Sequence, residues 1–223
     1  MKNVVKNLIA GAILMAGANA TASVIVLDFE GIGAGANIND FYNGGLDSFG
    51  NSGVDYGIAF QDAIACKDAD AEGGGNCNSA NEPSGETGMI FLDNNSAILS
   101  LASGFDTGLS FFYTSATAGT VSVYDEVGAS GNLLGSVSFG VNFNTNCSGD
   151  PTGTFCNWDI ASIAFSGIAK SIDFGGTANQ VIYDDITFGS VDPGNNNNVS
   201  SPGSLALLGL GIFGVAASRR KFK

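Results

Sequence analysis

The segment LLGSVSFGVNF at residues 133–143 alternates apolar and polar side chains along most of its length. Successive side chains of a β-strand point to opposite faces of the sheet, so one face of this segment is apolar and the other is polar. The apolar positions are Leu133, Val137, Phe139, Val141 and Phe143, and the polar positions are Ser136, Ser138 and Asn142. This pattern predicts a half-buried β-strand over the whole segment.

Other short apolar segments repeat this strand signal along the chain, and turn-forming residues separate them. We predict further strands at 24–29, 56–60, 89–92, 109–113, 121–124, 160–165, 171–174 and 181–188. Predicted turns lie at 43–45, 73–75, 93–95, 103–104 and 148–151. Between residues 23 and 190 we find no apolar stripe of helical period. Because two sheets of such strands can bury their apolar faces against each other, we predict an all-β domain over 23–190, an antiparallel β-sandwich or jelly roll.

The N-terminus has the order of a secretory signal peptide. Two lysines precede an apolar run at 8–16, and an A-x-A cleavage site follows at 18–20. The apolar run is much shorter than the roughly 20 residues that a membrane-spanning helix needs. We therefore predict a signal peptide at 1–22, cut by signal peptidase before Thr21 or Ser23.

The predicted domain is strongly acidic. All 21 acidic residues lie between Asp28 and Asp192, where Lys67 and Lys170 are the only basic residues, which gives a formal charge of −19. Nucleic acid and anionic membrane surfaces are therefore poor partners for it. The chain has no histidine, which excludes Ser-His-Asp and Cys-His catalysis and His-ligated metal centres. We predict that the protein is not an enzyme, and a carboxylate-based glycoside hydrolase is the distant catalytic alternative.

The four cysteines form two local pairs, Cys66 with Cys77 and Cys147 with Cys156. An exported chain reaches an oxidising compartment, and each pair encloses a stretch rich in turn-forming residues that closes easily. We predict two disulfides with this connectivity, one of the three that four cysteines allow. Thiolate metal binding is the alternative, and neither spacing matches C-x-x-C.

The predicted last strand contains a carboxylate, Asp184, within an apolar pattern. The period of two places it on the same face as Ile182, Ile186 and Phe188. A core-facing carboxylate is costly unless it is paired, hydrogen-bonded or bound to a metal. If the first strand pairs nearby, the carboxylates of Glu30 and Asp28 would join Asp184 and form a group of oxygen ligands that suits calcium. The candidate calcium ligands are Asp28, Glu30, Asp184 and Asp185, and the alternative is that Asp184 accepts backbone hydrogen bonds.

An acidic segment and a single tryptophan also have candidate roles. Asp68, Asp70 and Glu72 alternate before Gly73, which predicts either a calcium loop closed by the first cysteine pair or, more simply, a solvated acidic turn. The spacing is not that of an EF-hand, because its twelfth position is a serine. Trp158 is the only tryptophan, and its ring suits either stacking on a sugar or packing in the core.

The C-terminal part of the chain changes composition twice. The stretch 191–200 is Asn-rich and lacks periodicity, which predicts a flexible linker. The segment 201–223 then contains Pro202 and Gly203, the apolar run LALLGLGIFGVAA, and a basic end with Arg219 and Arg220. That run spans only about 20 Å as a helix, against a bilayer core of about 30 Å. We therefore predict transient membrane insertion instead of a permanent anchor.

This ordered tail resembles the PEP-CTERM sorting signal of Gram-negative bacteria, with Ser201-Pro202-Gly203 in the place of Pro-Glu-Pro. The resemblance implies recognition by an exosortase-type sorting enzyme and delivery to the cell surface or extracellular matrix. Proteins of this kind are often linked to exopolysaccharide and biofilm matrix. The resemblance covers the tail only.

The predicted domain also resembles jelly-roll carbohydrate-binding modules, through three short motifs. They are Asp28-Phe29-Glu30 near its start, Phe155-Cys156-Asn157-Trp158 late, and Tyr183-Asp184-Asp185-Ile186-Thr187-Phe188 at its end. Some modules of this kind hold a structural calcium between the first and last strands. The sequence therefore predicts a non-catalytic exported protein with a structural or adhesive role. The alternative is a calcium-stabilised carbohydrate-binding module.

Overall fold

The computed structural model describes residues 24–145, 147 and 153–194, and this part of the chain forms eleven β-strands. The strands are β1 (Ile25–Leu27), β2 (Ile58–Gln61), β3 (Ile64–Lys67), β4 (Thr87–Ile90), β5 (Ser96–Phe105), β6 (Gly108–Ser115), β7 (Gly119–Glu126), β8 (Ser130–Phe139), β9 (Asp159–Ala164), β10 (Ala169–Gly175) and β11 (Val181–Phe188). No helix that could cross a bilayer occurs within the described ranges. The predicted signal peptide at 1–22 and the sorting segment at 201–223 lie outside them.

The strands form two antiparallel sheets that pack face to face. The first sheet has the order β3-β4-β11-β6-β9, with β1 also paired to β11, and the second has the order β2-β5-β10-β7-β8. Aromatic rings from both sheets meet edge to face between them, because that arrangement suits their quadrupoles. The ring centroids of Phe111 and Tyr183 lie 5.9 Å and 5.0 Å from that of Phe174. The prediction of an all-β antiparallel sandwich is confirmed.

Strand β5 shows where turn signals mislead. The prediction contained neither β3 nor β5, and it placed a turn at 103–104, which lies inside β5. Gly104 takes a positive φ of 77° there, opposite an irregularity in the register between Ala169 and Ser171 of β10. A glycine can adopt this conformation without a steric penalty, so the strand continues through it.

Strand β8 begins at Ser130, before the predicted segment 133–143, and ends at Phe139, four residues before the end of that segment, and the predicted pattern fails at both ends. The supposedly inward residues Leu133 and Val141 are 56% and 61% exposed. Asn142 is buried instead. Its Oδ1 accepts the backbone N–H of Ser115 at 2.7 Å, and its Nδ2 donates to the Tyr113 carbonyl at 3.2 Å. The carboxamide satisfies backbone groups of β6, which a count of apolar positions cannot foresee.

Strand β11 contains a β-bulge that changes which residues face the core. Asp184 pairs with Phe112 of β6 but Thr187 pairs with Ser110, so β11 has one extra residue between them. The bulge reverses the alternation. The core residues of this strand are Val181, Tyr183, Ile186 and Phe188, whereas Ile182 belongs to a small cluster outside the main core. The predicted common face of Ile182, Ile186 and Phe188 is therefore wrong.

Candidate functional site

The bulge on β11 buries a carboxylate on the outer side of the first sheet. Asp185 adopts a positive φ of 48° within the bulge, a conformation that Asp tolerates better than most residues. Asp184 follows Ile182 on the strand face away from the main core, yet it is 0% exposed. Its carboxylate accepts hydrogen bonds from Ser84, in the loop before β4. The loop and the bulge together form the acidic site.

The hydrogen bonds of this site join residues that are distant in sequence. The backbone N–H of Ser84 donates to Oδ2 of Asp184 at 3.3 Å, and the Ser84 hydroxyl donates to Oδ1 of Asp185 at 2.8 Å. The backbone N–H of Asp185 donates to Oδ1 of Asp184 at 2.7 Å. Both carboxylate oxygens of Asp184 thus accept hydrogen bonds, which is the alternative to metal binding that the sequence left open.

The β1 end supplies Asp28 and Glu30, but in different roles. Oε1 of Glu30 accepts the backbone N–H groups of Glu86 and Thr87, each at 2.8 Å. A Cβ on Gly85 would run into that carboxylate, so the loop needs glycine at this point. Glu30 therefore links the segment after β1 to the loop before β4 through these two hydrogen bonds. Asp28 lines a cleft of about 340 Å³ together with Asp185 and Ser84.

Burial and neighbouring negative charge raise the pKa of Asp184 and of Asp185. Burial is the main cause that raises the pKa of Asp184 to about 9, and the charge of Asp185 adds to it. Burial also raises the pKa of Asp185, and the charge of Asp28 raises it further against a lowering effect of the Ser84 hydrogen bond. A carboxyl with a pKa of about 9 is protonated at neutral pH unless a cation compensates its charge.

The carboxylate oxygens of this site are the type of ligand that calcium prefers, but too few of them lie close together to form a complete site. Calcium prefers six to eight oxygen ligands. Asp28 and Asp185 line one cleft, and the buried Asp184 shares the hydrogen-bond partner Ser84 with Asp185. Across the described ranges, however, no three acidic or cysteine side chains are grouped closely enough to hold a metal ion. One oxygen of Glu30 is already committed to backbone N–H groups. In this structure Asp184 is therefore stabilised by its hydrogen bonds with Ser84 and with the backbone N–H of Asp185.

The second acidic candidate, at Asp68, Asp70 and Glu72, forms a tight turn. Asp68 is 7% exposed, and burial raises its pKa to about 6, with a hydrogen bond to Asp70 as the next cause. Glu72 is exposed, and its backbone carbonyl accepts a hydrogen bond from Nζ of Lys67 at 2.7 Å. Asp68 and Asp70 are thus brought together, whereas the exposed Glu72 contributes its backbone to the turn.

Both predicted disulfides are confirmed. Cys66 is bonded to Cys77 and Cys147 to Cys156, with Cα–Cα distances of 5.3 Å and 5.4 Å. Ser79, two residues after Cys77, forms a parallel bridge with Phe155 of the second cross-linked loop. Cys66, Cys77 and Phe155 pack in the same small cluster outside the main core, so the two cross-linked segments meet there.

Trp158 packs against the small cluster on the outer face of the first sheet. Its indole N–H donates to the carbonyl of Ala80 at 2.9 Å, and its ring lies against the group formed by Cys66, Ile90 and Ile182. The side chain is partly buried. Its position is that of a packing residue with a satisfied polar atom.

Sequence reasoning missed Ser84. It lies 100 positions from Asp184 in a stretch without periodicity, so only the tertiary fold identifies it. The predicted sorting residues Pro202, Gly203, Arg219 and Arg220 lie outside the described residues.

Several solved structures align with this chain at low sequence identity. The K2 cleaved adhesin domain of Lys-gingipain aligns with 75% of this chain and 98% of its own, at 13% identity and a TM-score of 0.45. TmCBM61, solved in complex with beta-1,4-galactotriose, aligns with 60% of this chain and 90% of its own, at 16% identity and a TM-score of 0.37. A glycoside hydrolase family 43 arabinoxylan arabinofuranohydrolase from Bacillus subtilis aligns with 51% of this chain and 24% of its own, at 18% identity and a TM-score of 0.34.

The tail gives a direct match. No curated protein sequence matches the chain. The family model described as the PEP-CTERM protein-sorting motif matches residues 202–221, which include all four of the predicted sorting residues. The chain therefore carries a PEP-CTERM protein-sorting motif, which implies an exported surface protein and processing by an exosortase-type sorting enzyme.

Proposed function

We propose that this protein is a non-catalytic component of the cell surface or extracellular matrix of a Gram-negative bacterium, with a structural or adhesive role. The sorting motif at 202–221 is the observation that carries the proposal. Two disulfides and an all-β body support it, because an exposed protein benefits from cross-links that oppose unfolding. The formal charge of −19 between Asp28 and Asp192 keeps such a body soluble.

Localisation in the source bacterium tests this proposal. We expect the full-length protein at the cell surface or in the matrix, and a version truncated after Asn198 in the periplasm. The described strands end ten residues before that point, at Phe188, so both versions keep the same body. Unchanged far-UV circular dichroism of the body provides the folding control. Equal surface display of both versions would refute a sorting role for the tail.

The second candidate function is a calcium-stabilised carbohydrate-binding module. The observation that favours it is the burial of Asp184 beside Asp185, with no basic side chain bonded to either in the described part of the chain. A divalent cation would remove the cost of ionising both carboxyl groups. In that case Asp28, Asp184 and Asp185 would supply carboxylate ligands, while Glu30 keeps its oxygen on the loop.

Thermal unfolding with calcium tests this candidate. A ligand at a hundredfold excess over its Kd stabilises the native state by about 2.7 kcal/mol, which is a rise of roughly 5–10 °C in Tm for a body of this size. We expect Asp184→Ala to abolish the shift and Asp93→Asn, at an exposed turn residue, to retain it. A Tm that is the same in millimolar calcium and in chelator would eliminate the calcium site.

The non-catalytic assignment has its own test. Asp28 and Asp185 line one cleft. Because the chain has no histidine, a glycosidase activity would have to use a pair of carboxylates of this kind. We expect no release of reducing ends from neutral or acidic polysaccharides. Hydrolysis that disappears in Asp185→Asn, with an unchanged Tm, would make the protein a hydrolase.

A further inference from the structure

A second cleft lies on the outer face of the first sheet, away from the acidic site. It has a volume of about 320 Å³. Its apolar lining includes Cys66, Ile90 and Ile182, the buried members of the small outer cluster, and the half-buried ring of Phe155. Its remaining walls carry side-chain amides, and we call it the amide cleft.

One wall of the amide cleft is held rigid by the disulfide loops. Oδ1 of Asn76 accepts the backbone N–H of Lys67 at 3.0 Å, and its Nδ2 donates to the Ala65 carbonyl at 3.1 Å. Asn78 is fixed in the same way, because both ends of its carboxamide bond to Thr154, at 2.7 Å and 3.2 Å. This wall is therefore preorganised, which lowers the entropic cost of binding a ligand.

The opposite wall offers free hydrogen-bonding capacity. It is the turn between β10 and β11, which carries Asn179 and Gln180. Asn179 has a positive φ of 58° and is exposed, and its carboxamide bonds to no other described residue. Nε2 of Gln180 donates to the backbone carbonyl of Asn179 at 2.7 Å, which leaves Oε1 of Gln180 as an acceptor. Donor and acceptor groups thus stand side by side at the cleft mouth.

The cleft is uncharged, although the body is strongly acidic. None of its lining residues is Asp, Glu, Lys or Arg, whereas the region from Asp28 to Asp192 has a formal charge of −19. The surrounding negative field disfavours anionic ligands, and the cleft has no carboxylate that would favour a cation. A neutral ligand with paired hydroxyls and apolar C–H faces matches both the carboxamides and the apolar floor.

We propose that the amide cleft binds a neutral glycan, with Asn179 and Gln180 hydrogen-bonding to its hydroxyl groups and Phe155 and Ile182 contacting its apolar face. The proposal rests on the adhesive role given above and names a ligand class and a site for it. It is separate from the acidic site, which contains none of these residues.

Affinity electrophoresis of the full-length exported protein tests the proposal. The gels contain a neutral β-glucan, galactan or mannan, with alginate as the anionic comparison. We expect at least one neutral polymer to retard the protein. We expect Asn179→Asp, which keeps the shape and the tolerance of positive φ but removes a donor and adds a charge, to weaken this binding about tenfold or more.

Asn94→Asp is the matched control, because it adds the same charge at an exposed turn residue that does not line the cleft. It should bind as the unmodified protein does. Retardation by alginate alone, no retardation by any neutral polymer, or equal binding by Asn179→Asp would overturn the proposal. Surface display of Asn179→Asp separates the two hypotheses, since a variant that reaches the surface without binding glycan leaves the sorting role intact.

Discussion

Asp184 is a carboxyl group buried without a basic partner among the described residues. Two backbone N–H groups and the Ser84 hydroxyl approach it, and burial raises its pKa to about 9 all the same. The hydrogen bonds stabilise the ionised form, but desolvation and the neighbouring Asp185 outweigh them. The folded protein therefore favours a protonated Asp184 in the absence of a cation.

This raised pKa predicts a pH dependence of stability. The unfolded chain releases the proton near the ordinary aspartate pKa of 3.8, whereas the folded chain holds it up to about pH 9. The contribution is therefore fully present below pH 3.8 and is lost as the pH rises to about 9, by at most ~1.4 kcal/mol per pH unit. We expect Asp184→Asn to flatten this fall in chelator-containing buffer, as measured by urea unfolding between pH 5 and pH 8. Identical pH slopes for the two proteins would show that Asp184 is ionised in the native state.

At the scale of elements, the strand pattern predicts the fold class but not the faces of the strands. Alternation correctly places β-strands at most of the predicted segments, because local burial on one side of a sheet determines it. It fails at Asp184 and Asp185, where one extra residue reverses the pattern, and at Asn142, where a buried amide satisfies backbone groups of β6. Both failures depend on the neighbouring strand, which a single segment does not encode.

The two disulfides allow a comparison at the same scale. Their sequence separations are 11 and 9 residues, so the loss of loop entropy on cross-linking is nearly equal, about 2–3 kcal/mol each. Cys66 is 1% exposed and packs in the outer cluster with Cys77, whereas Cys147 is exposed and the buried Cys156 belongs to neither hydrophobic cluster. We expect the Cys66→Ser/Cys77→Ser variant to lose more free energy of unfolding than Cys147→Ser/Cys156→Ser, by about 1–2 kcal/mol. Equal losses in urea unfolding would show that packing of Cys66 contributes little.

At the scale of the whole molecule, sequence reasoning works well for local signals and less well for long-range contacts. The cysteine pairs are close in sequence and the tail is a contiguous signal, so both are predictable from short stretches. The acidic site and the amide cleft join loops that are about 100 residues apart, such as Ser84 with Asp184 and Asn78 with Gln180. No pattern within a short stretch of sequence predicts these contacts.

The central claim is that the tail is a sorting signal which an exosortase-type enzyme processes. Mass spectrometry of the protein extracted from the cell surface tests this most directly, because it reads the C-terminus itself. The matched motif begins at Pro202, so we predict a mature chain that ends near this residue. An intact C-terminus at Lys223 in the surface protein would contradict processing and would indicate a permanent anchor.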